Sequence, residues 1–385
     1  MIGAAISDTH LGARRFSRTE NGVNAHEMAI ERAWFEAVDQ IVAARVDLVT
    51  IAGDVFEHPR VDSRAVKAYR DGVRRLRESG AIVVIVSGNH DMPRSSDSTS
   101  PIVMPDDYEG VYVVTEPKVL TLYMEDGNNG TPCIQVSVAA FPFVTLADPK
   151  VYRLDLDPAA DVNILVAHCS VNGDALGLPK FYGHDAPFNV REIAEKFDVV
   201  ALGDYHEFTR LHPDRLAFYS GSLERVSSNL WAETQPKGWV WFDTETRQME
   251  LREVEGRKMV VTDIEDCIGS AVGVVRADAD AVNVCLKQMA DGQMDREIVT
   301  DALVRFTVPD FPREERQQID WSLVKKLKER CLHFELAISY KAASSDALPD
   351  RRAGVVTLDE QAREWFADDD EDVRAAGLGY MGVEV

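Results

Sequence analysis

The sequence runs to 385 residues, 45% of them apolar and 28% charged, with a formal net charge of −23. This is a globular composition, sufficient for one large domain and a smaller one. It argues against a membrane-spanning helix, because no apolar run approaches the roughly 20 residues required, and its acidity opposes autonomous, non-specific DNA binding. No basic stretch followed by an apolar one opens the chain, so no signal peptide is expected. Cys133, Cys169, Cys267, Cys285 and Cys331 form neither a zinc pattern nor a disulfide framework. A reducing cytoplasm is the expected compartment.

Residues 1–90 alternate strand and helix. The run IGAAIS predicts the first strand. Residues 26–44 place Met28, Ala29, Trp34, Phe35, Val38, Ile41 and Val42 on one face of an amphipathic helix. Asp47–Ala52 is the next expected strand. A helix over 62–79 follows, with Ala65, Val66, Tyr69, Val73 and Leu76 at spacings of three and four and Gly80 at its end. Ile82–Val86 is wholly β-branched, as a buried parallel strand can be. Residues 92–110 form a Pro/Ser/Asp-rich loop. Strands are predicted near 111–115, 118–124 and 132–140, with Asn129-Gly130 a hairpin signal between the last two. A strand then reaches His168, a helix covers about 188–197, and a strand occupies 198–202. Segments 215–220, 238–243 and 246–253 read as hairpin-like strands. Together these predict two sheets face to face with helices outside. From about 258 a small separate unit is expected, with strands at 270–276 and 300–308 and helices at 278–290 and 314–330. The tail from 342 gives weak signals, and its acidic tract at 368–372 reads as solvated.

Five polar clusters sit at the ends of the predicted strands. They are Asp8-Thr9-His10, Gly53-Asp54, Gly88-Asn89-His90-Asp91, Ala167-His168 and Gly203-Asp204-Tyr205-His206. Hydrolysis of a phosphodiester requires charge neutralisation at the phosphoryl oxygens and an activated water, and two divalent ions about 4 Å apart can supply both. Asp, Asn and His without cysteine suit Mn²⁺, Mg²⁺ or Fe better than a structural zinc. Open α/β sheets also bind ligands at the carboxyl ends of their strands. Singly, Asp8 or Asp54 reads equally as a cap or turn residue, His168 as a core histidine and Asn89 as a turn residue. Their joint order at successive strand ends is what points to a metal site.

The stretches SDTHLG (7–12), VDLVTIAGDVFEHPRV (46–61), AIVVIVSGNHDMPRS (81–95), ILVAHCSVNG (164–173), ALGDYH (201–206) and YSGSLER (219–225) carry a resemblance. Over about residues 1–255 the chain resembles the calcineurin-like metallophosphoesterases, and within them the SbcD-type DNA repair nuclease subunits. The resemblance implies an α/β fold, a four-layer α/β/β/α sandwich with a small α+β capping domain. The corresponding divisions are 1–257 for the nuclease domain, 258–341 for the cap, and 342–385 for an acidic tail that could dock a partner. Two divalent ions are implied, Mn²⁺ foremost. Asp8, His10 and His206 would hold one, Asn89, His168 and Asp204 the other, and Asp54 would bridge them. His90 would face the substrate phosphate and protonate or stabilise the leaving oxygen, with Asp91 orienting His90 or a backbone turn. Water would be the nucleophile, without a covalent enzyme intermediate.

Two departures from the family pattern stand out. Asp204 occupies a position where the family has histidine, adding a negative charge expected to favour Mn²⁺ or Mg²⁺ and tighten binding. After Asp54 the chain reads Val55-Phe56-Glu57 where relatives commonly have Leu-Phe-His, and His58 comes one place later. Catalytic assistance from that histidine is then either missing or supplied by His58. Arg14, Arg15, Arg18, Arg60 and Arg94 are candidate contacts to DNA phosphates, although exposed arginines are also common solubilising residues. His26, His184, His212 and His333 are expected on the surface or in loops. Cys169 should face away from His168, into the core. The helix Trp321–Cys331 could dock a partner or pack within the cap. The implied function is a DNA exonuclease or endonuclease acting at ends in double-strand break repair, dimeric, with an SbcC-like coiled-coil ATPase. A phosphodiesterase or phosphatase for nucleotides or other small esters is the alternative reading, and a non-enzymatic subunit with a structural metal site is a third.

Overall fold

The computed structural model describes residues 1–93, 99–125, 132–143, 156–172, 188–268, 277–292 and 302–341. The expected loop over 92–110 lies partly outside that range, and the Asn129-Gly130 turn, the strand at 270–276, His184, Arg94 and the tail from 342 lie wholly outside it.

In chain order the first elements are β1 (Ile2–Ile6), α1 (Ala25–Ala44), β2 (Leu48–Ala52), α2 (Ser63–Glu78), β3 (Ile82–Val86) and β4 (Val111–Val114). Then come β5 (Lys118–Glu125), β6 (Pro132–Phe141), β7 (Val162–His168), α3 (Val190–Lys196), β8 (Val199–Gly203), β9 (Thr209–Arg210) and β10 (Leu216–Tyr219). The hairpin β11 (Gly238–Asp243) and β12 (Gln248–Glu253) completes this part. Side chains start the helices. Asn24 accepts from the amides of His26 and Glu27 at 3.0 and 3.2 Å, and Asp62 accepts from those of Arg64 and Ala65 at 3.0 and 3.2 Å.

Two six-stranded sheets result, in the orders β12-β11-β1-β2-β3-β4 and β9-β10-β8-β7-β6-β5. The four strands β1 to β4 run parallel, as do β6, β7, β8 and β10, so their carboxyl ends gather at common edges. Three apolar layers hold the sandwich together. Ala4, Ile6, Val49, Ile51, Val83 and Ile85 pack beneath Trp34, Val38 and Ile41 of α1 and Tyr69, Val73 and Leu76 of α2. Ala5, Ala52, Val84 and Val86 face Val138, Ala140, Val166, Ala201 and Phe218 between the sheets. Leu165, Ala167, Cys169, Val200 and Leu202 pack under Val190, Ile193 and Ala194 of α3. The order is therefore α/β/β/α. Each buried strand sends alternate residues to opposite layers, which is why Cys169 sits in the outer core while His168 points inward.

The later elements are β13 (Met259–Asp263), α4 (Ile264–Ile268), α5 (Ala279–Asp291), β14 (Leu303–Phe311), α6 (Trp321–Arg330) and β15 (His333–Tyr340). The strands form a sheet in the order β13-β14-β15. The helix expected over 314–330 is a correction: a short 3₁₀ turn covers Arg313–Gln318 and α6 starts only at Trp321. Asn283 of α5 causes the break, donating to the Gln318 carbonyl at 2.9 Å and accepting from the Asp320 amide at 2.7 Å. Within α6, Val324 and Leu327 are buried, whereas Trp321 is 44% exposed. The chain divides into two compact units. One comprises Met1–Val261, Gln288–Arg305 and Ser322–Glu335; the other comprises Thr262–Lys287, Phe306–Trp321 and the described part of the chain from Leu336.

Candidate metal centre

The five polar clusters stand at the carboxyl ends of β1, β2, β3, β7 and β8, and the parallel strands bring them to one place. The residues after β1 and β2 zip together: the Asp8 amide donates to the Gly53 carbonyl, His10 to Asp54 and Leu11 to Val55, at 3.0, 3.0 and 2.8 Å. In the second sheet Gly203 pairs with His168, and a Cβ on Gly203 would stand 1.9 Å from the Ala52 carbonyl oxygen of the first sheet. Only glycine allows the two sheets to approach so closely at this edge.

Asp54 is at the middle. Its Oδ2 lies 3.7 Å from His10 Nε2 and 3.5 Å from His168 Nε2, and its Oδ1 accepts from the His90 amide at 2.9 Å. Burial raises the Asp54 carboxyl, but the His168, His10 and His90 imidazoles outweigh it and hold it well below the usual range. On one side, Asp8, His10 and His206 each offer a ligand atom, all within 4.8 Å of one another; Asp8, Asp54 and His168 do the same on the other. His168 Nε2 also stands 3.1 Å from Asn89 Oδ1 and 3.9 Å from Asp204 Oδ1. Asp204 is steered by Ser170, whose hydroxyl donates to its Oδ2 at 2.7 Å, and its amide donates to the Asp8 carboxylate at 3.2 Å.

The histidines present defined nitrogens. His168 Nδ1 is 2.8 Å from the Ala52 carbonyl, which can only accept, so Nδ1 carries the hydrogen and Nε2 keeps a lone pair for the cluster when the ring is neutral. His10 Nδ1 is 2.9 Å from Glu57 Oε2, and its buried Nε2 has no hydrogen-bond partner among the described residues. A buried imidazole nitrogen without a partner, facing carboxylates and two further histidines, fits a divalent cation as the missing partner. His206 directs Nδ1 to Glu233 at 3.6 Å and Nε2 to Asp8 at 3.9 Å.

His90 Nδ1 donates to the Glu57 carbonyl at 2.6 Å, which leaves Nε2 as the other end of the ring. Asp91 is fully buried and accepts from the amides of Gly88, Phe56 and Val55 at 2.8, 2.9 and 3.3 Å. It clamps the turns after β2 and β3 to each other. Burial and the Asp54 charge push its carboxyl up to about 7.

The arginines scatter. Arg14 pairs with Glu27 at 2.7 Å and with Asp62, spanning the N-termini of α1 and α2. Arg15 donates to the Val226 carbonyl at 3.0 Å and reaches Glu57 Oε1 at 3.2 Å, beside the cluster. Arg18 donates to the carbonyls of Arg330 and Cys331 at 2.7 and 2.8 Å. Arg60 and His58 are exposed. Among the described residues no ligand cluster includes His58, whereas its neighbour Glu57 forms one with His10 and His90. His26 corrects the surface expectation: it is buried, its Nε2 lies 2.9 Å from the Arg225 carbonyl, and burial lowers its pKa. His212 and His333 are half-buried.

The sequence showed Glu57 only as a departure from the family pattern and did not single out Glu233 or Lys237, although all three are neighbours of the site. Glu233 accepts from Lys237 and from the amides of Val226 and Ser227 at 3.2 and 2.6 Å; Lys237 also donates to the His206 carbonyl at 2.8 Å. The last two residues come from irregular chain before β11, where no strand-end pattern flags them. Glu57 did stand at a noted departure, and that was the available signal.

An α/β/β/α sandwich with this carboxylate–imidazole cluster at its strand ends defines a metal-dependent hydrolase. The sequence matches the calcineurin-like phosphoesterase family over residues 4–208, and the chain belongs to that family. It is also similar to proteins named DNA double-strand break repair protein Mre11. That of Methanococcus maripaludis is 31% identical over 96 residues, 25% of this chain and 24% of that protein. That of Thermoplasma acidophilum is 23% identical over 225 residues, 58% and 56% of the two chains. That of Methanocaldococcus jannaschii is 24% identical over 279 residues, 69% and 70%. The chain thus spans a quarter to just over half of the first two relatives.

Proposed function

We propose that this protein is a two-metal DNA nuclease that hydrolyses phosphodiesters at DNA ends in double-strand break repair. The observation that carries the reading is the similarity, reaching 279 residues, between the chain that builds this metal centre and proteins named for DNA double-strand break repair. Two divalent ions, Mn²⁺ in our reading, supply charge neutralisation at the phosphoryl oxygens and water of lowered pKa when bound. Asp8, His10 and His206 hold one, Asn89, His168 and Asp204 the other, with Asp54 between them. His90, anchored by its Nδ1 hydrogen on the Glu57 carbonyl, acts as the imidazolium: it gives the Nε2 proton to the leaving oxygen and is left as the neutral ring protonated on Nδ1. Asp91 keeps the two turns that carry Asp54 and His90 in register.

A net charge of −23 opposes DNA binding by this chain alone. The reading therefore includes an SbcC-like coiled-coil ATPase that contributes cationic surface, with a homodimer of this chain as the working unit in the cytoplasm. Residues 258–341 serve as the cap over the DNA end, and 342–385 as the docking segment.

The test is nucleotide release from end-labelled linear duplex and single-stranded DNA in Mn²⁺, for the protein alone and with its ATPase. Cleavage is expected, falling by about 10²–10⁴-fold in His90→Ala while Mn²⁺ binding persists. Rapid hydrolysis of small phosphodiesters with DNA left intact in both preparations would identify the small-ester enzyme instead.

A further inference from the structure

Three histidines offer Nε2 to the cluster, and their Nδ1 atoms face different partners: a backbone carbonyl for His168, and carboxylates for His10 at 2.9 Å and His206 at 3.6 Å. His168 is fixed by a backbone carbonyl, but His10 depends on the side chain of Glu57. Glu57 is well placed to act as a brace. Its carboxylate takes the His10 Nδ1 hydrogen on Oε2 at 2.9 Å and the Arg15 guanidinium on Oε1 at 3.2 Å. Its backbone carbonyl takes the His90 Nδ1 hydrogen at 2.6 Å, and its own amide donates to the Leu11 carbonyl at 3.1 Å. One residue thus contacts both the candidate ligand His10 and the candidate proton donor His90, whose rings meet edge to face with centroids 5.0 Å apart.

We propose that Glu57 is a positioning residue: its carboxylate fixes the tautomer and ring angle of His10, and Arg15 locks that carboxylate in place. The inference rests on reading His10 as a metal ligand. The physical reason is that imidazole binds a cation through one nitrogen only when the other keeps its hydrogen, and an acceptor on that hydrogen makes the ring both correctly turned and more basic. His58 cannot substitute, since it is exposed and outside the clusters among the described residues. The histidine of the family pattern is thereby replaced by a group of different chemistry, an anion that accepts and never donates when ionised.

Calorimetric titration with Mn²⁺ tests this without any turnover measurement. Glu57→Ala should weaken binding at the His10 side by about 10–100-fold. Glu57→Gln keeps an acceptor oxygen and should recover most of that loss. A second readout uses the native protein loaded with Zn²⁺ as a diamagnetic probe. In ¹⁵N–¹H spectra His10 should show a slowly exchanging Nδ1 hydrogen and a metal-bound Nε2, and the hydrogen should exchange rapidly in Glu57→Ala. Native Mn²⁺ affinity in Glu57→Ala, or a native His10 with Nδ1 unprotonated, would overturn the proposal. If Glu57→Ala does not fold, the native spectrum and Glu57→Gln decide it. No Mn²⁺ binding by the native protein would defeat the metal-centre reading and this inference together, whereas a lack of DNA cleavage with normal titrations would leave the inference standing.

Discussion

Asp8, His10, Asp54 and Asp204 all hold left-handed backbone, with φ of 49°, 48°, 49° and 102°. Such conformations cost about 1–3 kcal/mol each and persist only where the surroundings dictate them. Here the zipped turns after β1 and β2 hold Asp8, His10 and Asp54, the Asp8 carboxylate accepts from the Asp204 amide, and all four strained residues are candidate ligands. Their electrostatics give a pH prediction. Burial lowers the His168 pKa, but Asp54, Asp8 and Asp204 overcome this and raise it well above the ordinary value; His206 is raised likewise by Glu233 and Asp8. Both rings must lose a proton to ligate a metal, so protons and metal compete. Mn²⁺ affinity should fall as pH drops through these raised values, and binding should release protons. Calorimetry in buffers of different ionisation heat measures both; pH-independent affinity would contradict the assignment. At Asp204, replacement of the carboxylate by imidazole removes a charge 3.9 Å from His168. Asp204→His should weaken Mn²⁺ and Mg²⁺ binding by about tenfold, following the preference of hard cations for oxygen, and equal or tighter titration curves would refute this.

At the scale of elements, the two outer helices are fixed by their starts and by one tight crossing. Asp62 caps α2 and also receives Arg14. Asp62→Ala should lower stability by about 1 kcal/mol, read as a lower urea midpoint with unchanged slope. Where α1 crosses α2, Trp34 Nε1 donates to the Ala68 carbonyl at 3.0 Å, and a Cβ on Gly72 would stand 2.4 Å from that nitrogen. This explains a glycine inside a helix, where it otherwise costs about 1 kcal/mol. Apolar spacing made α1, α2 and the buried parallel strands legible, because each shows one period along its whole length. The break before α6 was not legible: an asparagine on another helix intercepts the backbone there, and local spacing carries no trace of it. Strands β13 and β15 were also missed, since their partly exposed residues lack a clean alternation.

For the whole molecule, the centre draws its ligands from both sheets, so a bound metal ties one sheet to the other. Any ligand that binds only the folded chain stabilises it by mass action, by about 2.7 kcal/mol at a hundred times its dissociation constant. Removing divalent ions with EDTA should therefore lower the thermal midpoint, and adding Mn²⁺ should restore it in proportion to the logarithm of its concentration. A midpoint insensitive to Mn²⁺ would argue against a folded-state metal site. Among the described residues no helix is long and apolar enough to cross a membrane.

The sequence by itself determined the sandwich and the cluster residues, because apolar periodicity dictates the layers and parallel strands must end on a common edge. Asp8, Asp54, Asn89, His168 and Asp204 were readable for that reason. Only the tertiary structure decided which nitrogen each histidine presents and which arginines are already engaged. It also gave Asp91, expected to orient His90 or a backbone turn, its partners: the amides of Gly88, Phe56 and Val55. It brought in Glu57 and Glu233, whose importance comes from contacts across 47 and 27 residues of chain. Hydrogen-bond partners at such separations are set by how the layers stack, and no local pattern of residues encodes them.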